Sequence, residues 1–394
     1  MDDSELIVRR RICFPFVGDS IGGSQISTIA LISALNVSRY EPLVVVHEPG
    51  PLAGYLEKRN IVFEDLPLKA YAGSGFNRVA QVAHLFMATP VLWRFLRQHK
   101  VSHVHTQDGR MSQTWGLSAR LAGARFIWHQ RVKYTPSRLT RHTMRLADQI
   151  VCNSNFVRTA LPLHLQADAQ VVDNPFDTVR IESARAPQSG MPKKSTNCTT
   201  ILFVGNLAKQ KRPEIFLRAA DLIHAGLDRP VQFLICGRDR DQLQPGLMAL
   251  IKELGIADIV HFMGFCDPIA PWFAASDLLL APEVDEAFGR TLVEAMLTGT
   301  PVVASNSGGH KEIIDPGRTG LLVPPDDAPA MAAAAISILG DDVRRERMSR
   351  VAKEEALARY NIQSHSAVMM DIYDKLSPIN HQNRSIASRP EGRP

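Results

Sequence analysis

Two glutamates, Glu286 and Glu294, stand either side of Gly289 and are separated by seven residues. The apolar run 278–281 reads as a short strand that ends at Pro282. A polar loop follows, Gly289 permits a tight turn, and Leu292, Val293, Ala295 and Met296 recur as they would on a helix packed against a sheet. Glu294 then falls in the first turns of that helix, with Glu286 on the loop before it. The free N–H groups of a helix N-terminus favour an anion. A carboxylate accepts two hydrogen bonds in a fork, which suits a vicinal diol. Anion plus polyol describes a sugar nucleotide.

An ordinary strand, loop and helix with two solvated glutamates would give the same stretch. A repetition argues against that: residues 301–304 form another buried strand, and Gly308 and Gly309 precede a helix predicted over 310–314. Ligands bind at the carboxyl ends of parallel strands, so two anion-ready helix starts after adjacent strands make a site.

These residues, with Gly317 and Gly320 downstream and Gly205, Asn206, Lys211, Gly264 and Phe265 upstream, resemble the C-terminal domain of the retaining glycosyltransferases of family 4. The resemblance covers about residues 201–325, and the N-terminal half matches more loosely. It implies the GT-B fold, an α/β architecture of two doubly wound Rossmann-like domains facing across a cleft. It also implies transfer of a hexosyl group from a UDP- or GDP-sugar to an acceptor hydroxyl, with retention. Glu286 would position sugar hydroxyls, Lys211 would stabilise charge on the leaving diphosphate, and His129 would stand beside the donor sugar. Glu294 would hold the ribose diol, and Phe265 would neighbour the base. Gly22, Gly23, Gly205, Phe288, Gly289, Arg290, Thr291, Gly308 and Gly309 would line the donor site, with backbone N–H groups at 289–291 and 308–310 on phosphate or sugar. Asn206 departs from the pattern where many relatives carry Arg, and Arg212 or Arg290 would compensate. A nucleotide-sugar epimerase of the same fold and a non-catalytic binding subunit remain as alternatives.

No cofactor and no metal are expected. Asp239 and Asp241 spell the three-residue metal motif of a different glycosyltransferase fold, but so short a match reads as a solvated turn. Cys13, Cys152, Cys198, Cys236 and Cys266 show no Cys-x-x-Cys spacing, so they read as reduced residues, mostly buried.

The elements that must position these residues can be read along the chain. A strand over 11–17 leads through Gly18, Gly22 and Gly23 into a helix over 25–35, although this is not the dinucleotide fingerprint. Further strands are predicted over 43–47, 101–105, 126–131 and 147–154. Helices are predicted over 52–58, 73–98 with a break near Pro90, and 111–122. His103 and His105 read as structural. An N-terminal domain over 1–182 would be completed by a return helix near 361–376. A linker over 183–199, rich in Pro, Ser and Lys, would separate it from a C-terminal domain over 200–360 and allow closure over a ligand. The polar tail 377–394 reads as disordered.

At 394 residues, with 45% apolar and 22% charged side chains, the chain has the composition of a globular protein of two or three domains. It has no apolar run of about 18 residues, and its acidic start lacks a signal core. A cytoplasmic protein, working at the inner face of a membrane, is expected. Between Arg78 and Arg145 twelve Lys and Arg face a single acid, Asp108. That excess suits a glycan or lipid-linked acceptor with negative charge, or peripheral contact with an anionic membrane. No nucleic-acid motif appears, and nucleic acid is not expected as a partner.

Overall fold

The computed structural model describes residues 9–68, 71–73, 78–133, 137–184 and 197–376. The chain forms two compact units. The first comprises Met1–Cys152, Thr159–Val172 and Ser366–Pro394, and the second comprises Asn153–Arg158 and Asp173–His365.

The first unit is built on seven strands: β1 (Arg10–Phe16), β2 (Tyr40–Val46), β3 (Phe63–Asp65), β4 (His103–Thr106), β5 (Arg125–Gln130), β6 (Gln149–Cys152) and β7 (Gln170–Val171). All pair in parallel in the order β3-β2-β1-β4-β5-β6-β7. A parallel sheet is covered on both faces, so its strands are continuous apolar runs. Phe14, Phe16, Val44, Ile127 and Val151 are accordingly buried. Met369, Ile372 and Tyr373, from the helix Ile362–Lys375, pack into that core.

The second unit has six strands: β8 (Thr199–Val204), β9 (Val231–Cys236), β10 (Val260–Gly264), β11 (Leu278–Ala281), β12 (Val302–Ser305) and β13 (Leu321–Val323). They too are parallel, in the order β10-β9-β8-β11-β12-β13. Phe203, Phe216 and Phe233 pack as tilted and edge-to-face rings in one of its cores.

Two expectations are corrected. The helix Arg78–Gln98 runs through Pro90 without a break. Leu92 and Leu96, buried beyond the proline, hold it. Burying two leucines is worth roughly 1.5–3 kcal/mol each, which matches the ~3 kcal/mol that an interior proline costs. The unit boundary also differs from the one expected at 182. Residues 153–158 and 173–182 belong to the second unit, because Ser154 donates to the Ala287 carbonyl, Glu312 accepts from the Asn155 and Phe156 amides, and Phe176 packs on Phe288 and Tyr360. Residues 185–196 of the expected linker and the tail 377–394 lie outside the described residues. Among the described residues no helix is long and apolar enough to cross a membrane.

Candidate functional site

In each sheet the strand order reverses direction once, between β1 and β4 and between β8 and β11. Ligands of such sheets bind beyond the carboxyl ends of the strands at that reversal. In the second unit the loops after β8 and β11 meet there. The loop after β8 supplies Lys211, and the loop after β11 supplies Glu283 and Glu286. Lys211 Nζ lies 2.7 Å from Glu286 Oε2 and 3.3 Å from Glu283 Oε1. The backbone ties the loops together as well, since the Val284 amide donates to the Gln210 carbonyl.

The electrostatics follow from burial and proximity. Burial opposes the charge on Lys211, but the two carboxylates outweigh it and raise its pKa. Burial likewise opposes ionisation of Glu286, yet the Lys211 ammonium, with the Phe288 amide and His310, holds its carboxyl below the usual range. Glu283 is 1% exposed, and its Oε2 has no hydrogen-bond partner among the described residues. Lys211 thus bridges two buried acidic side chains, and one acceptor oxygen, Glu283 Oε2, is left over. A hydroxyl of a ligand would satisfy it.

The glycines position this cluster. Gly308 has φ +58°, and a Cβ there would sit 2.4 Å from the Glu286 carbonyl oxygen. Its backbone therefore presses on the Glu286 loop, and the Gly309 amide donates to the same carbonyl at 2.8 Å. The His310 amide donates to the Ser307 carbonyl. The amides of Gly309 and His310, two of the three at 308–310 expected to meet a ligand, are engaged inside the fold, where the Gly309 amide helps to fix Glu286. The helix they open is short, His310–Ile313. His310 is buried, with Nδ1 on the Ser305 carbonyl and Nε2 without a hydrogen-bond partner among the described residues.

Gly289, at φ +105°, starts the helix Arg290–Thr298, which no side chain caps. The Leu292 and Val293 amides of its first turn donate to the Gly289 carbonyl, and the positive end of the helix dipole at Arg290 and Thr291 favours an anion. Arg290 stacks 4.2 Å above the Phe176 ring and reaches Glu294 Oε1 at 3.2 Å. Burial raises the Glu294 carboxyl above its ordinary pKa, against the pull of Arg290. Phe288, expected at the donor, is instead a core residue, 3% exposed among Phe176 and Tyr360.

The remaining candidates of this unit lie around the cluster. The Lys211 stem runs over Gly205, whose Cβ, if present, would be 3.4 Å from Lys211 Cδ. Asn206 is exposed and its Oδ1 accepts from the Arg238 amide. Arg212 pairs with Asp326 at 2.6 Å, so Arg290 is the candidate for compensation that stands at the helix start. Phe265 is 59% exposed, with the Arg238 guanidinium 4.1 Å over its ring. Asp239 accepts from the Leu243 and Gln244 amides, and Asp241 from the Lys209 amide, so both secure a turn. Among the described residues no group of three or more His, Cys, Asp or Glu is placed to hold a metal ion. None of the five cysteines is in a disulfide.

In the first unit Gly22 precedes the helix Gly23–Ala34, and its amide donates to Gln25 Oε1. That amide meets a phosphate only if Gln25 releases it. His129, at the end of β5, is fully buried with its Nδ1 3.1 Å from His105 Nε2. His103 bonds the carbonyls of Tyr373 and Leu376, and burial depresses its pKa to about 4. The basic excess is partly spent inside this unit. Arg110 pairs with Asp19, Arg120 and Arg125 share Asp148, and Arg131 is buried, whereas Arg94, Arg97, Lys100, Arg141 and Arg145 are exposed. Arg78 and Arg138 have side chains outside the described residues.

Glu283 and His310 carry no spacing signal of their own. Only the position of Glu283, one residue past Pro282 at the end of β11, marks it.

Comparison with known proteins places this geometry. Residues 198–341 match the family described as Glycosyl transferases group 1, and residues 21–180 match Glycosyltransferase Family 4. A D-inositol 3-phosphate glycosyltransferase of Corynebacterium urealyticum is 30% identical over 318 residues, covering 72% of this chain and 74% of that protein. Its counterpart in Corynebacterium kroppenstedtii is 32% identical, over 58% of this chain and 53% of its own length, so the chain spans about half of that relative. Among solved structures, Anabaena HepE in complex with UDP and glucose has a TM-score of 0.75 at 21% identity, covering 93% of this chain and 100% of HepE. A glycosyltransferase from Rickettsia africae has a TM-score of 0.80 at 19% identity, covering 94% of this chain and 99% of its own. These likenesses show the GT-B fold, with its two parallel-sheet α/β domains.

Proposed function

The chain belongs to the family 4 glycosyltransferases, and from that premise we propose that it moves a hexosyl group from a UDP- or GDP-sugar to an acceptor hydroxyl with retention at the anomeric carbon. One observation carries the reading: Lys211 sits between Glu283 and Glu286 at the reversal point of the second sheet. A buried ammonium, already in place, stabilises charge that develops on a leaving diphosphate without reorganising when the bond breaks. Glu286, held ionised by Lys211 through Oε2, accepts from sugar hydroxyls with its other oxygen. The open helix end at Arg290 and Thr291 takes phosphate oxygens, Glu294 takes the ribose diol, and Phe265 stacks on the base. His129 hydrogen-bonds the donor sugar. The diphosphate is neutralised by Lys211, Arg290 and backbone amides, so no metal is needed.

The acceptor is anionic or lipid-linked, as in assembly of a glycolipid or surface polysaccharide. Two observations support this. The curated relatives are named for D-inositol 3-phosphate, an anionic polyol. The helices Arg78–Gln98 and Gly109–Ala122 contain no Asp or Glu, expose Phe86, Met87, Trp93 and Leu121, and present Arg94 and Arg97 to solvent. Exposed apolar side chains on helices that carry exposed Arg suit peripheral contact with an anionic lipid surface at the cytoplasmic face.

A donor panel tests the reading. UDP- and GDP-hexoses are titrated by calorimetry and then incubated with D-inositol 3-phosphate, with products read by NMR. Acceptor-dependent release of nucleoside diphosphate and an anomeric configuration equal to the donor's are expected. An epimerised donor, or binding without turnover, would assign the site to the other two activities.

A further inference from the structure

His129 is the end of a buried chain of polar side chains. The Tyr373 hydroxyl lies 2.6 Å from His105 Nδ1, His105 Nε2 lies 3.1 Å from His129 Nδ1, and Arg131 Nη2 lies 3.3 Å from that same Nδ1. The two imidazoles are nearly parallel, at 10°, and Phe14 packs on the His105 ring. None of the four polar side chains is more than 5% exposed, so bulk water does not compete for these hydrogen bonds.

Those directions follow from the one member that has no choice. A guanidinium donates and never accepts. His129 Nδ1, facing Arg131, is therefore an acceptor and carries no proton. His105 Nε2, facing the same atom, must then be the donor. A neutral His105 with its proton on Nε2 accepts at Nδ1, and the group there is the Tyr373 hydroxyl. Burial pushes the Tyr373 pKa well up, against the pull of Arg131, so the hydroxyl keeps its proton to give. Every hydrogen bond in the chain points toward His129.

We propose that Tyr373, His105 and Arg131 fix His129 as the neutral tautomer with its proton on Nε2, so that it serves its ligand as a hydrogen-bond donor and not as a base. A donor of this kind suits a sugar or phosphate oxygen. It cannot take a proton from an acceptor hydroxyl without first disturbing the bonds at Nδ1. Tyr373 and His105 are positioning residues, and Tyr373 is brought to the first unit's sheet by the helix Ile362–Lys375, far along the chain. The catalytic consequence rests on the role proposed above for His129. The tautomer does not.

The test uses the full-length protein labelled with 15N-histidine. Long-range proton–nitrogen correlation reads the tautomer of His129, assigned by loss of its signals in His129→Asn. A protonated Nε2 with an unprotonated Nδ1 is expected, and a protonated Nδ1 overturns the proposal. Tyr373→Phe keeps the buried ring, removes only the hydroxyl, and should admit a minor population of the second tautomer, because Arg131 alone then opposes it. Loss of one neutral hydrogen bond should lower kcat about two- to tenfold, with donor affinity unchanged. In a His129→Ala background the same change should do nothing. An equal fall in both backgrounds would mean that Tyr373 acts on the fold alone, and the positioning role would be lost. If His129→Ala keeps full activity, the proposed contact with the sugar fails, while the tautomer is still decided by the spectrum.

Discussion

Replacing Glu294 by Gln should weaken nucleotide binding without weakening the fold. The side chain is 18% exposed, beside Arg290 at 16%, in an i,i+4 pair 3.2 Å apart. Gln keeps the shape and its amide oxygen can still accept from the Arg290 guanidinium, so the helix loses little. The burial that raises the Glu294 pKa works against the folded state at neutral pH. The folded carboxyl holds its proton to higher pH than an unfolded one, which titrates at about 4.3. Stability is therefore full below that value and declines as pH rises through the raised one. Gln carries no charge and removes this decline, so Tm at neutral pH should stay level or rise. Binding should respond the other way. A hydrogen bond to a charged group contributes about 1.5–3 kcal/mol, which is roughly 10- to 150-fold in Kd. Calorimetric titration with UDP and GDP at pH 7.5 and 5.5 measures it. Lowering the pH should weaken wild-type binding more than the variant's, because burial raises the Glu294 carboxyl toward protonation. An unchanged Kd in Glu294→Gln would remove Glu294 from the ribose and refute the assignment.

Three further outcomes are expected. Gly308→Ala forces a left-handed residue against the Glu286 carbonyl, at a backbone cost of at least about 1–2 kcal/mol; Tm and kcat should both fall, whereas Gly299→Ala, where a Cβ meets nothing within 4 Å, should lower Tm alone. The Glu286 carboxyl, held below its usual pKa by Lys211, contributes stability above the unfolded value and loses it as pH falls through the folded one. Acid unfolding below about pH 4.3 should therefore be shallower in Glu286→Gln, and an identical pH profile would deny the buried pair its part. Arg94→Glu with Arg97→Glu should reduce flotation with anionic liposomes at low salt and leave UDP and GDP affinity intact; no flotation of the wild-type protein would remove the membrane from the proposal.

The readable part of the site was local. Glu286, Gly289 and Glu294 lie within one strand, loop and helix, whose periodicity and glycine punctuation sit in nine consecutive residues. What spacing could not carry was the pairing of distant loops. Glu283 meets Lys211 across 72 positions, and Ser154 meets Ala287 across 133. The first contact makes Glu283 part of the cluster, and the second draws residues 153–158 into the second unit. Phe288 misled for a related reason: an aromatic beside a turn glycine reads the same whether it faces a ligand or a core. Only the arrival of Phe176 and Tyr360 from elsewhere in the chain decides it. The Gly308-Gly309 turn was located from sequence, but its task was not, because the Glu286 carbonyl it presses against lies on a different loop.

The central claim is that the Lys211 cluster transfers a sugar from a nucleotide. Its most direct test is release of nucleoside diphosphate from UDP- and GDP-hexoses in EDTA, with and without D-inositol 3-phosphate, by the wild-type protein and by Lys211→Met. The wild type should turn over only with acceptor present and without added metal. Lys211→Met should lose the reaction by orders of magnitude while circular dichroism shows it folded. Equal turnover by a folded Lys211→Met, or a wild-type activity that needs manganese or magnesium, would contradict it.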